Sequence, residues 1–432
     1  MKILFAENSL RTDKLGIMQL SAILKKKGHH TILVQDRECP IESMIDVFHP
    51  EFIFYSVMTG DHQWALKKNQ SLKEHKFAFT SVMGGPHFTF FPEDGVDNPY
   101  VDITVIGPGE TVIDRILERN DSLIHGSIPD IQRLPIPDRI LQYSYKEFGQ
   151  SPMKRFMACR DCPNSCKYCF NHLYRTVMKD DKDRFYQSRT PQQMMDEIES
   201  VRFRFGMKLA YFNDDDLAHD YAWISEFCDL IKDTDMNFCG SARANSLLQE
   251  DTIKMLADSG CTFMNIAIES SVPETQKLLR RGNVNNEQIL DACQYCEESG
   301  IKIRLQNMIG LPVDDPLEDA LQTLEFNQKA NVTDSWAAIF QPFPKTDLHT
   351  YCQEKNLLKE GEECKAFYES SPLNIQDRDK IQRLHKWWHI AAKYKIPIDA
   401  VREIIEIPIG DETSKYMQDL RWEKGAKLLY GM

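Results

Sequence analysis

Cys159-Arg-Asp-Cys162-Pro-Asn-Ser-Cys166-Lys-Tyr-Cys169 is the stretch on which the reading of this chain turns. Four of the 12 cysteines in 432 residues fall within it. Inert buried cysteines do not cluster in this way, so the run points to metal or redox chemistry. Disulfides are rare in a reducing compartment. A structural zinc site takes two cysteine pairs parted by a longer loop, and here three residues part them. Thiolates on a short loop fit an iron–sulfur cluster best.

Working outward, the run follows an apolar segment, Phe156–Ala158, and precedes a regular alternation. Strands are expected at Leu209–Asn213, Asn237–Ser241, Met264–Ile268, Ile303–Met308 and Ala337–Gln341. Helices are expected between them at Pro191–Arg204, Tyr221–Thr234, Gln249–Ser259, Glu287–Ser299 and Leu317–Ala330. Repeated βα units of this length predict a partial (β/α)6 barrel, whose chemistry sits at the carboxyl ends of its strands.

The first 120 residues alternate in the same manner. Strands are expected at Lys2–Ala6, Thr31–Val34, Phe52–Val57, Phe79–Met83 and Ile103–Ile106, with a helix over Ile17–Lys27. That pattern predicts a Rossmann-like parallel sheet. Its strands run into Ser56-Val57-Met58-Thr59-Gly60, Gly84-Gly85-Pro86-His87 and Gly107-Pro108-Gly109-Glu110. Each is a tight turn or a place where backbone meets a ligand, and three at one sheet edge favour the ligand. The domains are therefore expected at 1–125, at 156–345 for the barrel, and at 346–432 for a small mainly helical region, with a Pro-rich linker over 126–155. In the last region Arg378, Lys380, Arg383, Lys386, Trp387, Trp388 and His389 share one expected helix. It reads as an amphipathic helix packing on the barrel in preference to a substrate lid.

Composition narrows the classes further. Lys plus Arg is 52 against 65 for Asp plus Glu, a net charge of −13. That balance argues against a nucleic-acid partner. No apolar stretch has the length of a membrane span, and the start carries no secretory pattern, so a cytoplasmic location is expected.

Within the cysteine run, Cys162-x3-Cys166-x2-Cys169, with Tyr168 before the last cysteine, resembles the signature of the radical S-adenosylmethionine (SAM) superfamily. The resemblance implies a 4Fe–4S cluster on Cys162, Cys166 and Cys169, with the fourth iron left open to SAM. A fourth thiolate would close that site. Cys159 lacks the family's spacing and is expected to be a non-ligand. Further positions fit the superfamily's SAM pocket: Tyr168, Asp214 and Asp215 in Tyr211–Leu217, Arg243 toward the methionyl carboxylate, Glu269 toward the ribose, and Asn307 and Gly310 along the adenine. Taken singly, each charge also reads as a solvated rim.

A Rossmann-like domain ahead of such a barrel resembles the cobalamin-binding branch of the superfamily. So do the three glycine turns, the linker Leu134–Arg139 and Phe340–Thr346. The resemblance implies cobalamin, used as methylcobalamin, held by Gly16, Ser56, Met58, Thr59, Gly60, Gly84, Gly85, Pro86, His87, Gly107, Gly109 and Glu110. The loop Asn8–Gly16 has no histidine to set beneath cobalt, and His62 and His87 read as ordinary hydrogen-bonded histidines. Asp161 stands where that branch has glycine.

The implied activity is methyl transfer from SAM, through methylcobalamin, to an unactivated carbon, with a peptide or protein residue favoured over a small molecule. No single side chain need be the catalyst. An electron donor such as flavodoxin or ferredoxin follows. The alternative is a cyclase, ring contractase or rearrangement enzyme with the same cofactors. A tRNA-modifying methylthiotransferase needs three more cysteines in the first domain, which holds only Cys39.

Overall fold

Short apolar runs become the strands of a parallel sheet in the first part of the chain. They are β1 (Lys2–Glu7), β2 (His30–Gln35), β3 (Phe52–Ser56), β4 (Thr80–Gly84), β5 (Ile103–Ile106) and β6 (Leu123–His125), ordered β2-β1-β3-β4-β5-β6. Alternation buries both faces. Ile3, Phe5, Phe52, Phe54 and Val82 enter one core, while Leu4, Ala6, Ile53, Tyr55 and Met83 enter the other. Two buried faces are what a parallel sheet with helices on both sides requires. Strand β6 was not expected from sequence. Ile124 is its one buried residue, so it carries almost no apolar signal.

The computed structural model describes residues 1–361, 364, 366–410, 412, 413, 415–417 and 419, so part of the expected C-terminal region lies outside the described residues. Two units are distinguished: Met1–Asp161 with Leu173–Lys208, and Cys162–His172 with Leu209 onward. In the first, residues 126–155 contain two short helices, Arg139–Tyr143 and Lys146–Gly149, and end in β7 (Met153–Phe156). The sequence expectation put this strand at Phe156–Ala158. It begins earlier because Lys154, although fully buried, has its amine satisfied by the carbonyls of Phe148 and Gly149. A two-residue antiparallel pair follows, β8 (Cys159–Arg160) with β9 (Gln187–Ser188).

The second unit is built on five parallel strands: β10 (Leu209–Phe212), β11 (Asn237–Ala242), β12 (Cys261–Glu269), β13 (Lys302–Ile309) and β14 (Asp334–Ile339). Their order is β14-β13-β12-β11-β10. Expectation had placed β14 at Ala337–Gln341. Asp334 and Ser335 extend it backward because each finds polar partners: Arg304 for Asp334, Asn327 and Trp388 for Ser335. The expected helix Gln249–Ser259 is shorter, Thr252–Asp258.

The helix Arg378–Lys393 buries Ile381, Leu384, His385, Trp388, Ala391 and Ala392, an i, i+3, i+4, i+7 stripe. It packs with Ile309, Leu321, Leu324 and Ile339, so its aromatic face is core. Among the described residues no helix is long and apolar enough to cross a membrane.

Candidate cofactor sites

The cysteine loop of the second unit is tied down by backbone. Lys167 N donates to Leu279 O at 3.2 Å, its carbonyl accepts from Leu348 N at 3.0 Å, and Cys169 N donates to Cys166 O at 3.1 Å. Cys166 is buried, and Cys162 and Cys169 are half-buried, all as free thiols. Burial raises the Cys162 thiol and pushes that of Cys169 up to about 12. Cys159 stands outside this loop, in β8. Asp161, ahead of the loop, has φ +76°. That is the left-handed region, which explains why glycine suits the position.

Two guanidiniums face Cys166 Sγ: Arg281 Nη1 at 3.7 Å and Arg243 Nη1 at 4.0 Å. Tyr168 Oη donates to Glu269 Oε1 at 2.7 Å and accepts from Arg281 Nη1 at 3.0 Å. Burial lifts the Tyr168 phenol well above its ordinary range, so it stays a donor. Glu269 reaches this position through an irregularity. The β12–β13 register shifts between Ala267 and Glu269, and Glu269 takes φ +65°. A non-glycine residue held there costs about 1–3 kcal/mol and is characteristic of functional sites.

The acidic run after β10 divides its roles. Asp214 is buried. Asp215 accepts from Asn171 Nδ2 at 2.7 Å, and burial raises its carboxyl. Asp216 accepts from Ser246 Oγ at 2.8 Å and from Arg243 N at 3.2 Å, which fixes the turn carrying Arg243.

Asn307 departs from its expected place. Its amide donates to Asn327 Oδ1 at 3.1 Å and to Trp336 O at 2.8 Å, and it is fully buried. Asn327 lies on the helix Pro316–Ala330, so odd positions of β13 face that helix. Alternation then turns Gln306 and Met308 to the opposite face, with Ala267 and Trp336 aligned beside Gln306. Gly310 follows β13 with φ +72°, its Cα facing Ile381.

The first unit gathers the glycine turns at one edge, because β3, β4 and β5 are neighbours. Strand order reverses at β1, the place where open sheets take ligands. Gly16 lies in the first turn of the helix Leu15–Lys26 that follows β1. Ser56 and Gly84 end β3 and β4. Gly85 has φ +89°, and a Cβ there would sit 2.6 Å from Val57 N, so no other residue fits. Pro86 opens the short helix Pro86–Phe90. Gly107 has φ +77° and donates its N–H to Thr89 at 3.0 Å. Met58 is exposed, Thr59 is near it, and Gly60 and Gly16 have open space where a Cβ would stand.

His87 is 2% exposed, with Thr59 Oγ1 at 3.2 Å, Asp94 Oδ2 at 2.9 Å and the His62 ring stacked at 4.0 Å. Burial, then His62, lowers its pKa, which favours neutral imidazole.

Gly16 and Glu110 border a cavity of about 260 Å³ with Arg139, Arg160, Arg189 and Glu197. Arg160 pairs with Glu110 at 2.7 Å, while Glu197 bridges Arg139 and Arg189. Sequence reasoning passed over Arg160, Arg189, Glu197 and Arg281, because a single charge carries no signal of the distant partner it meets.

The residues fit the implied groups. Three thiols in one loop with two cations on Cys166 suit a thiolate-held cluster. Arg243 Nε is buried without a hydrogen-bond partner, a donor that a carboxylate satisfies. Open backbone at adjacent strand ends suits a large polar cofactor.

Two family models match the chain: the B12 binding domain over residues 1–117 and the Radical SAM superfamily over 158–326. An uncharacterized methyltransferase of Pyrococcus horikoshii is 24% identical over 377 residues, 80% of this chain and 79% of that one. The bacteriochlorophyllide d C-8(2)-methyltransferase of Chlorobaculum tepidum is 25% identical, over 71% of this chain and 66% of its own length. The solved cobalamin-dependent SAM radical enzyme OxsB, with aqua-cobalamin and SAM bound, aligns at TM-score 0.64 and 16% identity. The alignment covers 82% of this chain and 55% of that longer one, which establishes the shared fold. With a B12-binding domain followed by a radical SAM domain, the chain belongs to the cobalamin-dependent radical SAM enzymes, whose cofactors are a 4Fe–4S cluster, SAM and cobalamin.

Proposed function

We propose that this enzyme is a C-methyltransferase that moves a methyl group from SAM to an unactivated carbon. The observation that carries the reading is the pairing of the two domains in a chain whose relatives, aligned over most of its length, are named methyltransferases. When bound, the cluster and SAM supply a hydrogen-abstracting radical, and cobalamin supplies the methyl group. Cys162, Cys166 and Cys169 would hold the cluster with three thiolates. Arg243 donates from its unsatisfied Nε to the methionyl carboxylate. Glu269, fixed by Tyr168, accepts from the ribose, and Asp214 and Asp215 flank the methionyl end. Gly84, Gly85, Pro86, Gly107 and Gly109, with Ser56–Gly60, present backbone to the corrinoid, and Glu110 is held ready by Arg160. The electron comes from a flavodoxin- or ferredoxin-type donor in the cytoplasm.

On the substrate, the reading is a carbon of a peptide or protein residue. A second reading, a small molecule, is favoured by the Chlorobaculum relative's name, which specifies a bacteriochlorophyllide. Anaerobic turnover with a candidate of each kind tests both. Methyl transfer yields S-adenosylhomocysteine and 5′-deoxyadenosine together. Deoxyadenosine alone, with a rearranged product, would refute it in favour of a cyclase or ring contractase.

A further inference from the structure

Arg281 follows the helix Pro273–Leu278, belongs to no motif, and is 9% exposed. Its Nη1 donates to Tyr168 Oη and faces Cys166 Sγ at 3.7 Å, while its Nη2 bonds the carbonyl of Ala267. Glu269 Oε1 lies 3.8 Å from the same Nη1 and accepts from Tyr168. Cation, phenol and carboxylate thus close a ring of contacts beside one thiol of the cysteine loop. We propose that Arg281 is a positioning residue that sets the reduction potential of the cluster. The proposal rests on the reading of Cys162, Cys166 and Cys169 as its ligands.

The physical case is electrostatic. Iron–sulfur potentials follow net charge, hydrogen bonds to sulfur and burial. Reduction adds a negative charge to the cluster, so a nearby cation favours the reduced form and raises the potential. A surface cation would be screened, but Arg281 is buried, where charge acts over short range at lower dielectric. Its two terminal nitrogens are engaged by sulfur, phenol and carbonyl, which holds the charge in place. Glu269 lies by the same Nη1 and offsets part of its charge. Arg243 faces the same sulfur, but its Nη2 is engaged by the neutral amide of Asn283.

The two opposed charges give a test with opposite signs. The reconstituted holoenzyme, free of SAM, is titrated anaerobically against dithionite and followed by electron paramagnetic resonance, with iron counted per chain. Arg281→Gln is expected to lower the midpoint potential, Arg281→Lys to leave it near wild type, and Glu269→Gln to raise it. An Arg281→Gln protein with full iron and an unmoved potential overturns the proposal, as do shifts of one sign in both neutral variants. Where Arg281→Gln fails to take up iron, Glu269→Gln decides alone: a potential unchanged or lowered overturns it. A wild-type chain that takes up no iron overturns the ligand reading, and the proposal with it.

Discussion

At the scale of single residues, Asp161 shows how a motif's departure becomes intelligible. Its backbone sits at φ +76°, and its carboxylate lies 3.5 Å from Arg175 Nε. An L-residue in that conformation is strained by about 1–2 kcal/mol, and Asp is among those that tolerate it best. Glycine would relieve the strain, at the loss of the arginine contact and with some gain in unfolded-chain entropy. Asp161→Gly is therefore expected to keep full iron and an unfolding midpoint at or slightly above wild type. Asp161→Val adds a β-branched side chain in the same conformation and is expected to lose about 1–3 kcal/mol. Denaturant unfolding of the two variants checks this. Equal stability of the valine variant and wild type would show that the backbone relaxes elsewhere. The same residue marks what sequence can carry: the cysteine spacing is local and legible, whereas the dihedral that loop demands is not.

At the scale of elements, the helix Arg378–Lys393 and β14 are joined by more than apolar packing. Trp388 is fully buried, yet its Nε1 donates to Ser335 Oγ at 2.7 Å. Asp334 lies between Arg304 Nε at 2.6 Å and His389 Nδ1 at 2.8 Å. Burial alone would raise this carboxyl, but His389 and Arg304 outweigh it and hold it down at about 2. The folded pKa lies below the ordinary aspartate value near 3.9, so the stabilising contribution is complete above pH ~4. It is lost progressively as pH falls from there toward 2, and amounts to about 2–3 kcal/mol. Asp334→Asn is expected to be less stable than wild type at pH 5, with the gap closing as pH drops through that window. Urea midpoints of both proteins from pH 5 to pH 2.5 measure it. A gap that stays constant with pH would refute the assignment. The polar start of β14 is also why sequence placed that strand late. Apolar alternation marks a strand only where its residues face apolar neighbours, and Asp334 and Ser335 face partners brought from distant segments.

At the scale of the whole molecule, the two-part architecture was readable because each part rests on local repetition. Strand, glycine turn and helix recur within some 30 residues, and the cysteine run is contiguous. What escaped was long-range. Arg281 meets Tyr168 across 113 positions, Arg139 meets Glu197 across 58, and Asn307 turns away from its expected face because Asn327 and Trp336 satisfy it. The division of labour also has a testable consequence. Cys162, Cys166 and Cys169, the proposed cluster ligands, and both arginines at Cys166 lie in the second unit, whereas the glycine turns lie in the first. On that proposal, cluster assembly would draw its thiols and its compensating charge from one unit only. Protein made in cells without cobalamin should hold about four irons per chain, as protein made with it does, while cobalt falls from about one to none. Gly85→Val, whose Cβ would meet the backbone of Val57, should lower cobalt and leave iron in place. Inductively coupled plasma measurements on the three preparations decide it. Iron that falls in step with cobalt would mean that the cluster needs the corrinoid for its assembly, and that the separation seen in the residues does not extend to loading.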